Sequence, residues 1–92
     1  LIRNFKHKGL ERFFRQSDHR GIPPHSMGRI ERLLDVLDAA TKAESMNLPG
    51  NKFHRLKGDR AGTFSVSVTG NWRITFAFDG EDATDVNLED YH

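Results

Sequence analysis

Near residue 52 the apolar residues change their spacing, and that change limits the fold more than any other feature of the chain. Before it, Met27, Ile30, Leu33, Leu34, Leu37 and Ala40 recur at three- and four-residue steps, the period of one face of an α-helix. After it, Phe64, Val66 and Val68 alternate with Ser65, Ser67 and Thr69, and Trp72, Ile74, Phe76 and Phe78 alternate with Arg73, Thr75 and Ala77. A period of two means strands with one face turned to a core. Helices followed by a run of strands predict an α+β domain.

Punctuation divides these runs into elements. Residues 2–5 read as a short first strand, and residues 9–15 as a short helix with Leu10, Phe13 and Phe14 on one side. Residues 17–24 are turn material. A longer helix runs from about residue 24 to 40, with its prolines at the start, where a helix tolerates them. Residues 48–51 form a loop, 53–56 a short strand and 57–62 a charged turn. Two strands follow, joined at Gly70-Asn71, which suits a two-residue hairpin turn. Residues 79–82 turn the chain into a last strand over 83–89, with Val86 and Leu88 inward. The order is β-α-α-β-β-β-β, two helices on one face of a mostly antiparallel sheet. Ninety-two residues suffice for one such domain, taken here as 1–92, and leave little for a second.

If Trp72, Ile74 and Phe76 face the core, then Arg73 and Thr75 face away from it, and Ser65 and Ser67 share their side. That second face is polar and basic. It suits a nucleic-acid platform, although on pattern alone a sheet surface washed by water is the plainer reading. Charge is uneven along the chain. Residues 1–42 carry nine Lys/Arg and five Asp/Glu, residues 43–78 five and two, and residues 79–92 no base and six acids. A basic body with an acidic end suggests an anionic partner. The absence of cysteine excludes disulfides, thiolate metal sites and a cysteine nucleophile. No apolar run approaches the length of a membrane span. The opening Leu1-Ile2-Arg3-Asn4-Phe5 has no apolar signal region. The expectation is a cytoplasmic protein without a membrane partner.

Two clusters carry chemically useful side chains. His54-Arg55-Leu56-Lys57-Gly58-Asp59-Arg60 groups an imidazole with three cations, and Arg73 joins them if the strands pair as described. Lys and Arg neutralise phosphate, and histidine moves protons near neutral pH. The same residues would also make an ordinary charged loop. Glu89-Asp90-Tyr91-His92 groups acid–base types, and Tyr91 is able to stack on a nucleobase; a frayed polar tail fits as well. His7, His19 and His25 lack metal-ligand spacing, so no metal and no cofactor is expected. Trp72 shares parity with Ile74 and Phe76 and is read as core.

Three segments, in order over the whole chain, resemble the HigB-type toxins of the RelE-like family. They are the opening Ile2-Arg3-Asn4-Phe5-Lys6-His7-Lys8-Gly9-Leu10, the stretch from Leu56-Lys57-Gly58-Asp59-Arg60 through Ser65-Val66-Ser67-Val68 to Asn71-Trp72-Arg73-Ile74-Thr75-Phe76, and the end Asp90-Tyr91-His92. The resemblance implies a RelE-like fold and a metal-free endoribonuclease of a type II toxin–antitoxin system. Such an enzyme cuts mRNA on the ribosome by 2′-OH attack. It implies a helix-turn-helix antitoxin partner, HigA-like, with DNA contacted only through that antitoxin. It places His54, Asp90, Tyr91 and His92 at the active site, with Arg73, Lys57 and Arg60 as phosphate contacts. Among these, Arg73 is the expected transition-state cation and His92 the expected acid, with the base and acid roles open to exchange. Asp90 and His54 are alternatives for the base. A module that binds RNA or docks an antitoxin without cutting is the other reading.

Overall fold

A computed structural model describes residues 1–90. Two α-helices, α1 (Lys8–Gln16) and α2 (Met27–Ala39), precede four strands: β1 (His54–Arg55), β2 (Phe64–Ser67), β3 (Trp72–Asp79) and β4 (Asp82–Asp90). The strands form one antiparallel sheet in the order β1-β2-β3-β4. The α+β class and the order from the first helix onward agree with the sequence reading.

The helical stripe folds as its period predicts. Ile30, Leu33, Leu34 and Leu37 of α2 are buried, and they share a core with Val66, Val68, Ile74, Phe76, Val86 and Leu88 of the sheet side. Phe53, Phe64, Phe76 and Phe78 run along the sheet with neighbouring ring centroids 5.7 to 6.1 Å apart. Pro24 opens a single 3-10 turn, Pro24–Ser26, that leads directly into α2. The Ser26 hydroxyl does not cap that helix; it hydrogen-bonds the Thr69 hydroxyl and so ties the start of α2 to the β2–β3 connection. Arg29 reinforces the same junction by donating to the carbonyls of Ser67, Val68 and Gly50.

Three local features differ from the sequence expectation. Residues 2–5 do not form a continuous strand. They make two isolated parallel bridges to β4, Ile2 with Ala83 and Phe5 with Val86. Between these bridges Asp85 adopts a left-handed conformation at φ 54°, and its amide donates to the Asn4 Oδ1 side chain at 2.6 Å. A side chain thus takes a place that a regular ladder would give to backbone. Second, β2 ends at Ser67 and β3 begins at Trp72, so four residues, 68–71, make the β2–β3 connection instead of two. The amide of Trp72 closes it on the Thr69 carbonyl at 2.9 Å, and Gly70 supplies the positive φ of 56° that a side chain resists. Third, Ala43–Met46 forms a 3-10 turn that buries Ala43 and Met46; no periodic signal marks so short a segment.

Candidate active site

Pairing fixes which side chains share the face opposite α2. His54 pairs with Ser65, Ser65 with Thr75 and Thr75 with Asn87, so these four form one row across all four strands. Ser67, Arg73 and Glu89 form the next row. The basic second face inferred from alternation therefore exists. It is not simply washed by water, however: Ser65 and Thr75 are each only 2% exposed.

Arg60 bridges this face. It lies on the connection between β1 and β2. Its guanidinium crosses to β4 and donates from Nη1 and Nη2 to Oε1 and Oε2 of Glu89, at 3.1 and 2.5 Å. Arg73 reaches the same carboxylate from β3, with Nε and Nη2 at 3.2 and 2.9 Å from Oε1. Thr75 Oγ1 donates to Oε2 at 2.9 Å, and Asn87 Nδ2 does so at 3.3 Å. Glu89 is thus a hub with four donor residues. Its carboxyl is held at about 2 by the Arg60 fork first, then by Arg73 and Thr75, against a partial burial that acts the other way. Its oxygens are thus engaged by the surrounding donors in the charged form.

Glu89 carries no role of its own in the sequence reading, which groups it with the acid–base residues of the chain end. Alternation separates it from its neighbour. Asp90 pairs with Trp72, whereas Glu89 pairs with Arg73, so the two acids leave β4 on opposite sides. Asp90 is exposed and lines a cleft of about 340 Å³ between residues 23–26 and residues 69–72. Trp72 packs against the core but is only partly buried, and its remaining surface lines this cleft beside His25 and Asn71.

The central basic cluster is divided in the same way. His54 is exposed at the β1 edge of the open face, with Nδ1 at 3.2 Å from the Lys52 carbonyl. Arg55 points to the other side, where its guanidinium lies 5.3 Å from the centre of the Phe64 ring and 4.0 Å from Glu44. Lys57 is exposed beside Arg60 on the connection. Two strand spacings and one row separate His54 from Arg73, roughly 12 Å between Cα atoms. Tyr91 and His92, the remaining two residues named from the sequence, lie outside the described residues.

Comparison with known proteins gives this arrangement its setting. Residues 3–92 match the family described as the RelE-like toxin of the type II toxin–antitoxin system HigB. The chain belongs to the HigB-like toxin family. A relative from Proteus vulgaris named "Endoribonuclease HigB" is 45% identical over 92 residues, the full length of both chains. A relative from Vibrio cholerae serotype O1 named "Toxin HigB-1" is 36% identical over 74 residues, 78% of each chain. Among the described residues, no helix of this HigB-like chain is long and apolar enough to cross a membrane.

Proposed function

We propose that this HigB-like chain is a ribosome-dependent endoribonuclease that cuts mRNA and stops translation. The observation that carries the reading is a pair of guanidiniums, Arg60 and Arg73, held together on an open sheet face with His54 at its β1 edge; Asp90, at the end of β4, leaves the strand on the other side. A phosphodiester cleaved in place needs fixed positive charge for the phosphorane and a base and an acid on opposite sides of phosphorus.

The reaction is an internal transesterification. Asp90 or His54 removes the 2′-OH proton, and the 2′-oxygen bonds to the adjacent phosphorus. The bond from phosphorus to the 5′-oxygen breaks, and His92 protonates that oxygen. The products are a 2′,3′-cyclic phosphate and a 5′-hydroxyl, with no water consumed. Arg73 is the main cation for the transition state, and Lys57 and Arg60 neutralise neighbouring phosphate. The cleft beside Asp90 is the space for a nucleotide near the cut bond, and Tyr91 stacks on or orients a base. DNA, lacking the 2′-OH, is not cut. The partner that silences the toxin is a helix-turn-helix antitoxin of the HigA type, and both act in the cytoplasm.

Purified protein added to a cell-free translation reaction, followed by mapping of mRNA 5′ ends and analysis of the 3′ termini, tests this. New 5′-hydroxyl ends with matching 2′,3′-cyclic phosphates are expected. Translation arrest with intact mRNA would replace cleavage by RNA binding alone, and a linear 3′-hydroxyl at the primary cut would rule out 2′-OH attack.

A further inference from the structure

We infer that Glu89 is a positioning residue for cleavage, an anchor that holds the Arg73 and Arg60 guanidiniums where the transition state needs them; this rests on the nuclease reading above. Two observations carry it beyond an ordinary ion pair. First, one carboxylate collects both arginines and is itself fixed from below by Thr75, whose hydroxyl is buried in the sheet. Surface ion pairs are seldom so tied. The Glu89 side chain is 18% exposed and that of Arg73 13%, so this pair is withdrawn from solvent, while Arg60 remains 42% exposed. Second, Glu89 occupies donors that would otherwise face phosphate. A site built only to attract RNA has no use for an anion at its centre, because that anion cancels one of the two positive charges. An anion at this place is useful if orientation matters more than attraction. An arginine locked in one rotamer does not have to reorganise as charge builds on phosphorus, and such preorganisation raises the rate of the chemical step without strengthening ground-state binding.

The consequence is a separation of rate from affinity. In Glu89→Gln the amide removes the negative charge and turns an NH2 group toward a guanidinium. Arg73 and Arg60 then lose this shared anchor, and the net positive charge of the face rises. Affinity for mRNA-programmed ribosomes is expected to hold or tighten, while the single-turnover cleavage rate falls by about 10²-fold, as when a preorganised donor is lost. Glu89→Asp keeps the charge but is one methylene shorter, and it is expected to recover part of the rate. Loss of folding would instead lower rate and bound fraction together.

The experiment measures single-turnover cleavage and ribosome affinity for wild type, Glu89→Gln and Glu89→Asp, with the exchange of the Arg73 Nε–H proton followed by NMR on the free proteins. Slow exchange in wild type that becomes fast in Glu89→Gln, together with a rate loss at unchanged or tighter affinity, supports the assignment. A Glu89→Gln protein that cuts at the wild-type rate overturns it and leaves the nuclease reading intact. Failure of wild type itself to cut overturns the nuclease reading, and this one with it. If Glu89→Gln does not fold, Thr75→Val, which removes one bond to the carboxylate and keeps the shape, is expected to slow cleavage by about 3–10-fold at unchanged affinity. A Val variant with wild-type rate would then overturn the assignment.

Discussion

Ile74 and Phe76 on β3 are wholly buried among Ile30, Leu34 and Leu37 of α2; one residue along the same strand, Arg73 and Thr75 reach a carboxylate on the opposite side. The two faces obey different rules. The first depends on volume and area, so its residues are interchangeable within a size class. The second depends on direction and charge, and each of its groups is specified by the others. The apolar packing is concentrated on the first face, and the proposed phosphate contacts on the second. That division lets a small toxin keep an unusual amount of charge on a sheet without losing its core.

The sharpest way to break this comparison is to truncate one residue on each face of β3. Phe76→Ala opens a cavity beneath α2 and is expected to cost about 3–5 kcal/mol, a fall in Tm of more than about 10 °C for a domain of this size. Arg73→Ala is expected to lower cleavage by about 10²–10³-fold and to shift Tm by only a few degrees, because Glu89 retains Arg60. Thermal melts beside cleavage assays decide the matter: equal melting losses would mean that the open face carries as much of the fold as the core does.

The chain end tests whether chemistry belongs to the second face alone. His92→Gln keeps size and hydrogen bonding but cannot deliver a proton near neutral pH, and a loss of about 10²-fold or more in cleavage is expected at unchanged Tm. Asp90 lies at the exposed end of β4, so Asp90→Asn is likewise expected to fold normally. Full activity in folded Asp90→Asn would leave His54 as the base, and full activity in folded His92→Gln would remove the tail from the mechanism.

Much of the first face was legible in the sequence, because periodicity reports which residues are apolar at regular intervals and burial follows from that. The stripe from Ile30 to Leu37 and the alternation from Trp72 to Phe78 needed no knowledge of partners. The second face was only half legible. Its polar character follows from the same alternation, but the bridge from Arg60 to Glu89 joins residues 29 apart, and local patterns are blind to that distance. Ser65 is buried, and alternation alone does not announce that. The separation of Glu89 from Asp90 did have a signal. With Val86 and Leu88 inward, a strand continued one residue further sends Asp90 inward and Glu89 out; ending the strand at Glu89 concealed it.

Trp72 sharpens the comparison from the border between the two environments. Parity puts it with Ile74 and Phe76, yet it is only partly buried and forms part of the cleft beside Asp90. Trp72→Ala is therefore expected to cost less than Phe76→Ala, about 1–3 kcal/mol, in proportion to the smaller area it removes from water. It is also expected to weaken ribosome-bound cleavage beyond what unfolding explains. Trp72→Phe, which keeps a ring on the wall, should restore most of both. A Trp72→Ala protein as unstable as Phe76→Ala would return this residue wholly to the core.

The smallest expected effect separates the two faces by pH. Glu89 contributes stability through a lowered folded pKa, so its contribution is complete above the ordinary 4.5 and is lost as the pH falls toward about 2. His7 lies outside both faces and acts at milder acidity. Its Nδ1 accepts the Leu10 amide at 2.9 Å as the N-cap of α1, which requires a neutral ring, and Gly9 leaves room for it, since a Cβ there would come within 3.0 Å of the imidazole. Burial pushes the His7 pKa below 6.5. The unfolded chain therefore takes up this proton first, and stability falls as the pH drops below 6.5, by up to about 1 kcal/mol, the worth of a helix cap. His7→Asn keeps an acceptor at the cap without a titrating ring. Denaturant melts of wild type between pH 7 and 5 should show the first loss and those of His7→Asn should not, while both proteins lose stability together below pH 4.5. A first step that persists in His7→Asn would assign it to another group and remove the cap from the acid response.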